Sequence, residues 1–124
     1  MSRILLVEDT VANRALAVKL LRAAGHEVVE AGDGASGIVV AQTAQLDLVL
    51  MDLALPGLDG WEALRRLRAD RRTRDLRIVA LTAHAMAGIR EQTLAAGFDG
   101  YMSKPIDVST FAETVTRFLE EERR

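Results

Sequence analysis

Apolar and polar positions alternate along the chain in two different rhythms. Ile4–Val7, Val49–Met51 and Ile78–Thr82 are short runs dominated by aliphatic residues, the pattern of strands covered on both faces. Glu27–Ala31 and Tyr101–Ser103 complete a set of five short strand candidates. Longer amphipathic stretches lie between them. Val11–Ala24 carries Ala12, Leu16, Leu20 and Ala24 at spacing four, and Gly25 can stop it just past its C-terminal end. Asp33 can cap a helix running to about Ala44. Asp59 and Glu62 have the spacing of a capping box at the start of Gly60–Ala69. Met86–Ala96 is followed by Gly97, and Asp107 can cap a last helix with Phe111, Val115, Phe118 and Leu119 on one face.

Five strands alternating with five helices over short connections predict an α/β fold. Its form is a doubly wound (βα)5 three-layer sandwich around a parallel sheet. Right-handed crossovers place helices on both faces, and the binding crevice is expected at the carboxyl ends of the strands. No internal repeat, low-complexity stretch or linker divides the chain, so residues 1–124 are read as one domain.

Composition narrows the function classes. The 49% hydrophobic and 27% charged fractions are those of a globular chain able to bury a core. Cysteine is absent, which excludes disulfides and thiolate metal sites. The apolar start reaches Glu8 and Asp9 too soon for a signal peptide or a membrane span, so a cytoplasmic location is expected. A net charge of −2 argues against nucleic-acid binding. The basic stretch Arg65, Arg66, Arg68, Arg71, Arg72, Arg74 and Arg77 is read as a solvated helix face and loop.

The chemistry gathers at the ends of the predicted strands. The first ends in Glu8-Asp9, the third in Asp52, the fourth in Thr82-Ala83 and the fifth in Ser103-Lys104-Pro105. Each alone has an ordinary reading as a cap, a loop residue or a solvated lysine. In a parallel sheet all four ends share one edge, and capping needs alone do not produce that set. Several carboxylates together are costly unless a cation joins them, and an all-oxygen set suits Mg²⁺, with Mn²⁺ able to substitute. With Lys104 and Thr82 beside them, these groups form equipment for phosphoryl transfer.

The motifs LLVEDTVANR, VLMDLALPGLDG, IVALTAHAM and YMSKPID stand in order along nearly the whole chain. In them the chain closely resembles the receiver domains of two-component response regulators. LTAHAM and SKPI are most similar to single-domain cell-cycle regulators and to receivers of hybrid histidine kinases. The resemblance implies a flavodoxin-like sheet of strand order 2-1-3-4-5. It implies that Asp52 accepts a phosphoryl group from a histidine kinase or histidine phosphotransfer protein. It further implies Mg²⁺ ligation by Asp9, Asp52 and the Ala54 carbonyl, with Glu8 holding a metal-bound water. Thr82 and the Ala83 amide would meet the phosphoryl group, Lys104 would pair with it, and Tyr101 would follow Thr82. Pro105 would follow a cis peptide bond. His84 and Ala54 would flank the water route to the phosphoryl group, although an ordinary surface role is the preferred reading of His84. Thr10 and Leu55 depart from common family residues without touching the chemistry.

The output expected is a switched protein–protein contact with an unidentified target, without nucleic acid or membrane. A relay intermediate or phosphate sink is the alternative. No catalysis is expected beyond the domain's own phosphorylation and slow dephosphorylation. An aspartyl-phosphate hydrolase of the haloacid dehalogenase type would need a second Asp at position 54, which is Ala. A flavin carrier would need a phosphate-binding first loop, which here is acidic, and the P-loop motif is absent. For partner docking, the first helix is read with Leu16 toward the sheet. That places Arg14, Val18 and Leu21, with Val11 nearby, on an outward stripe.

Overall fold

The computed structural model describes residues 2–83 and 87–121. Five strands alternate with five helices: β1 (Arg3–Val7), α1 (Val11–Ala23), β2 (Glu27–Ala31), α2 (Gly34–Thr43), β3 (Leu48–Asp52), α3 (Gly60–Ala69), β4 (Ile78–Thr82), α4 (Ile89–Ala96), β5 (Gly100–Ser103) and α5 (Phe111–Glu120). All strand pairs are parallel, in the order β2-β1-β3-β4-β5. This is the flavodoxin-like arrangement expected from the strand–helix alternation and the resemblance.

Every residue of β3 and β4 is buried, and so is β1 after Arg3, because helices cover both faces of the central strands. The edge strands β2 and β5 are only partly buried, which is why their sequences mix polar and apolar residues. Alternate strand residues feed opposite cores. Leu5, Val7, Val49, Met51, Ile78 and Ala80 pack with Ala41 of α2, with Ala63, Leu64 and Leu67 of α3, and with Ile89 of α4. Ile4, Leu6, Leu48, Leu50, Val79 and Leu81 pack with Ala17, Val18 and Leu21 of α1 and with Phe111 and Val115 of α5.

The expected caps hold in part. Asp33 accepts from the Ser36 amide and Asp59 from the Glu62 amide. Gly25 and Gly97 take φ of 93° and 116°, left-handed conformations that close α1 and α4. Asp107, in contrast, folds a turn onto Ser109, and α5 begins after Thr110. The start of α4 is Ile89, and the expected start at Met86 lies outside the described residues.

The predicted outward face of α1 is wrong. Val18 and Leu21 are 5% and 0% exposed and belong to the core, whereas Leu16, expected against the sheet, is 36% exposed. The helix is rotated so that Ala17, Val18 and Leu21 face β1 and α5. Of the proposed docking stripe, only Val11 stands fully out in solvent.

The arginine run is also more than a solvated face. Arg68 donates to the carbonyls of Gly97, Arg74 and Leu76 and pairs with Asp99 at 3.0 Å, tying α3 to the end of α4 and the start of β4. Arg77 donates to the carbonyls of Phe118 and Glu121 at the end of α5. Carbonyls at helix C-termini lack intrahelical donors, and these guanidinium groups supply them.

Two substitutions separate core from surface. Leu21→Asp should lower the unfolding free energy by at least about 3 kcal/mol, because a carboxyl replaces a fully buried aliphatic group. Arg68→Ala should cost about 2 kcal/mol through the carbonyls it leaves without a donor. Urea unfolding followed by circular dichroism measures both, and a loss under about 0.5 kcal/mol for Leu21→Asp would return Leu21 to the surface.

Candidate functional site

The parallel register delivers the predicted residues to one edge. Glu8 and Asp9 follow β1, Asp52 ends β3, Thr82 ends β4, and Lys104 follows β5. Asp52 sits across from Leu81 and Thr82 across from Ser103, so these groups lie at the same height in the sheet. The Lys104 amide donates to the Thr82 carbonyl at 2.8 Å, extending the β4–β5 ladder to the lysine itself. The Lys104–Pro105 peptide bond is cis, as the resemblance implied.

Lys104 Nζ lies 2.7 Å from Glu8 Oε1 and 2.9 Å from Asp52 Oδ2. Asp52 Oδ1 accepts from the Ala54 amide at 3.0 Å, and Glu8 Oε2 accepts from the Thr10 amide at 3.3 Å. Glu8, Asp52 and Thr82 are buried, while Asp9 is exposed at the mouth. Glu8, Asp9 and Asp52 each bring a carboxylate oxygen within 4.8 Å of the others. This all-oxygen donor set fits a hard divalent cation such as Mg²⁺.

Burial pushes the Asp52 carboxyl upward, but the bonds from Lys104 and the Ala54 amide outweigh it and hold it below the usual aspartate value. At Glu8 burial prevails over the Lys104 contact, and the carboxyl lies above the usual glutamate value. Burial also opposes charge on Lys104, yet its bonds to Glu8 and Asp52 keep the ammonium above the ordinary lysine value. Asp52 is therefore held in its ionised form beside the Lys104 ammonium, and burial sets the charged form of Glu8 at a disadvantage.

A hollow of about 480 Å³ opens beside Asp52, lined by Ala54, Trp61, Thr82, Ala83 and Ile89 among others. It gives a phosphoryl-sized group room next to the carboxylate and the Thr82 side chain. Ala54 and Ala83 are exposed at its rim. Tyr101 is half-buried on β5, beside Ala80, and packs against the α2–α3–α4 core. His84 lies outside the described residues.

Sequence reasoning missed three contributors. A Cβ at Gly60 would collide with the Asp52 carbonyl oxygen, so only glycine lets α3 start this close to the end of β3. Trp61 walls the hollow and meets Phe98 edge-on, with ring centroids 5.7 Å apart. Arg14, assigned to docking, instead donates to the Glu8 carbonyl at 2.7 Å. The sequence marked only the cap made by Asp59 and Glu62 at this helix start, because the close approach of two backbones is a tertiary fact.

The family description "Response regulator receiver domain" matches residues 4–116. The chain belongs to the response regulator receiver domain family. It is 42% identical over 119 residues to the sensor protein GacS of Pseudomonas syringae pv. syringae, spanning 94% of this chain but 13% of GacS. It is 35% identical over 116 residues to the polar-differentiation response regulator DivK of Brucella ovis, spanning 94% of each. Among solved structures it resembles the receiver domain of the sensor histidine kinase PA1611 from Pseudomonas aeruginosa PAO1. That match has 37% identity and a TM-score of 0.86 over 97% of this chain and 98% of that one. The PA1611 receiver was crystallised with a magnesium ion coordinated in its active-site cleft. The chemotaxis response regulator CheY4 of Vibrio cholerae matches with a TM-score of 0.88 at 28% identity, covering 95% of this chain and 98% of that one.

A group whose folded pKa lies above its unfolded value destabilises the fold when ionised, and this cost fades as pH falls through the folded value toward 4.5. In EDTA at pH 7, Glu8→Gln should unfold at higher urea than the parent chain, and the gap should close near pH 4.5. Equal midpoints at pH 7 would show that Glu8 carries no such cost.

Proposed function

We propose that Asp52 is the phosphoacceptor of a signalling switch whose donor is a phosphohistidine on a histidine kinase or histidine phosphotransfer protein. One observation carries the reading: a buried, ionised aspartate at the sheet edge faces a lysine on one side and an open hollow on the other. An Asp52 carboxylate oxygen attacks the phosphorus. The P–N bond breaks, its electron pair goes to the imidazole nitrogen, and that nitrogen is protonated. The products are an aspartyl phosphate and free histidine.

Glu8, Asp9, Asp52 and the Ala54 carbonyl would hold Mg²⁺, which offsets the negative charge brought in by the phosphoryl group. Lys104 pairs with a phosphoryl oxygen, and Thr82 and the Ala83 amide donate to others. Lys104 and Thr82 then report the phosphate to the rest of the domain. Tyr101 on β5 follows Thr82, so the face formed by α4, β5 and α5 changes its contacts with a partner. The phosphoryl group shifts this equilibrium only through its different contacts in the two states. The domain's own chemistry is limited to its phosphorylation and slow hydrolysis, in the cytoplasm. Among the described residues no helix is long and apolar enough to cross a membrane.

A second reading, transfer onward as a relay intermediate or phosphate sink, draws support from the similarity to GacS. DivK, matched over 94% of its length, supports the switch reading.

Acetyl phosphate should label the parent chain in Mg²⁺ and fail to do so in EDTA. Asp52→Asn should abolish the label. Thr82→Ala should keep the label but lose the phosphorylation-dependent NMR shifts around Tyr101. Intact labelling of Asp52→Asn would overturn the assignment, and parent-like Tyr101 shifts in Thr82→Ala would overturn the coupling.

A further inference from the structure

The turn that carries the two acids after β1 is anchored at both of Glu8's backbone groups. Its amide donates to the Ala31 carbonyl on β2 at 3.0 Å. Its carbonyl accepts from Arg14 Nη1 at 2.7 Å. The same guanidinium reaches Glu30 on β2, with Nε 3.3 Å from Oε1. Arg14 is only 21% exposed and rests beside Gly32, where a Cβ would stand 3.3 Å from Nη1. The Arg14 amide in turn donates to the Thr10 carbonyl at 2.9 Å, closing the first turn of α1 behind the acids.

The carbonyl that Arg14 holds belongs to the peptide unit joining Glu8 to Asp9. Rotation of that unit would swing the exposed Asp9 carboxylate and pull the Glu8 carboxylate from Lys104 and the Thr10 amide. We propose that Arg14 is a positioning residue for the divalent-cation site: by fixing the Glu8–Asp9 peptide against β2, it sets the aim of both carboxylates. The inference rests on the reading that Glu8, Asp9 and Asp52 hold Mg²⁺. It also replaces the docking role that the helical stripe suggested for Arg14.

Two simpler accounts make different predictions. If Arg14 were only a cation near acidic groups, its removal would relieve repulsion of Mg²⁺ and tighten binding. If it were only a staple between α1 and β2, its removal would lower stability and leave Mg²⁺ affinity unchanged. A positioning role weakens affinity, as loss of an outer partner of metal ligands does. Lysine cannot reproduce the forked donation to the carbonyl and the carboxylate together, so Arg14→Lys tests geometry with charge retained. Arg22 supplies the control: it is 58% exposed, approaches Glu30 Oε2 at 4.0 Å, and donates to the Val28 carbonyl rather than to the Glu8 carbonyl that Arg14 holds.

Mg²⁺ titrations of the unphosphorylated protein, followed by the backbone amide NMR shifts of Asp9, Asp52 and Ala54, measure affinity without any activity. Arg14→Ala should bind about tenfold more weakly than the parent chain. Arg14→Lys should also bind more weakly, and Arg22→Ala should match the parent. If Arg14→Ala does not fold, Arg14→Lys decides alone. Saturable binding by the parent with equal or tighter binding by the folded Arg14 variants would overturn the positioning role while leaving the site intact. Absence of saturable shifts in the parent would overturn the cation site and the positioning role together.

Discussion

Lys104 holds the buried carboxylates of Glu8 and Asp52 together at the edge of a parallel sheet, and the functional arrangement depends on that contact. Charges removed from water are costly unless an opposite charge and hydrogen bonds replace the lost hydration. Here the lysine supplies the charge, and the Ala54 and Thr10 amides supply hydrogen bonds. The compensation is incomplete, since Asp9 joins the same cluster and Glu8 sits above its usual pKa. A site left with surplus negative charge favours a small divalent cation, and through it can tolerate a phosphoryl group.

The scaffold makes this crowding persist. β1, β3 and β4 are buried on both faces, so the residues that follow them have little freedom to relax apart. Gly60 brings α3 against the end of β3, and Asp59 caps that helix. Arg68 and Arg77 satisfy helix-terminal carbonyls on the far side of the molecule. The side of Asp52 away from Lys104 is open by contrast, bounded by Thr82, Trp61 and Ile89. A buried sheet edge beside an open hollow is compatible with the phosphoryl acceptance proposed for Asp52.

Much of this was legible in the sequence because its cause is local. Uninterrupted aliphatic runs marked the central strands, and acids or a lysine directly after them marked the site edge. The rotation of α1 was not legible. Val11–Ala23 carries apolar residues on most of its circumference, so Leu16–Leu20 and Ala17–Leu21 fit the helical period equally well. Only packing against β1 and α5 selects the second pair. The arginine run misled for a related reason: a guanidinium bound to distant carbonyls has the same local sequence as a solvated one. The roles of Gly60 and Arg14 depend on two segments meeting in space, which neither spacing nor composition encodes.

The central claim is that phosphate is carried by the Asp52 carboxylate. Borohydride reduces an acyl phosphate and converts the aspartate that carried it to homoserine. The protein would be reacted with a small acyl phosphate donor and Mg²⁺, reduced, digested and sequenced by mass spectrometry. Homoserine is expected at position 52, dependent on both donor and Mg²⁺. An unaltered Asp52 in phosphorylated protein, with the phosphate or the homoserine at another residue, would contradict it.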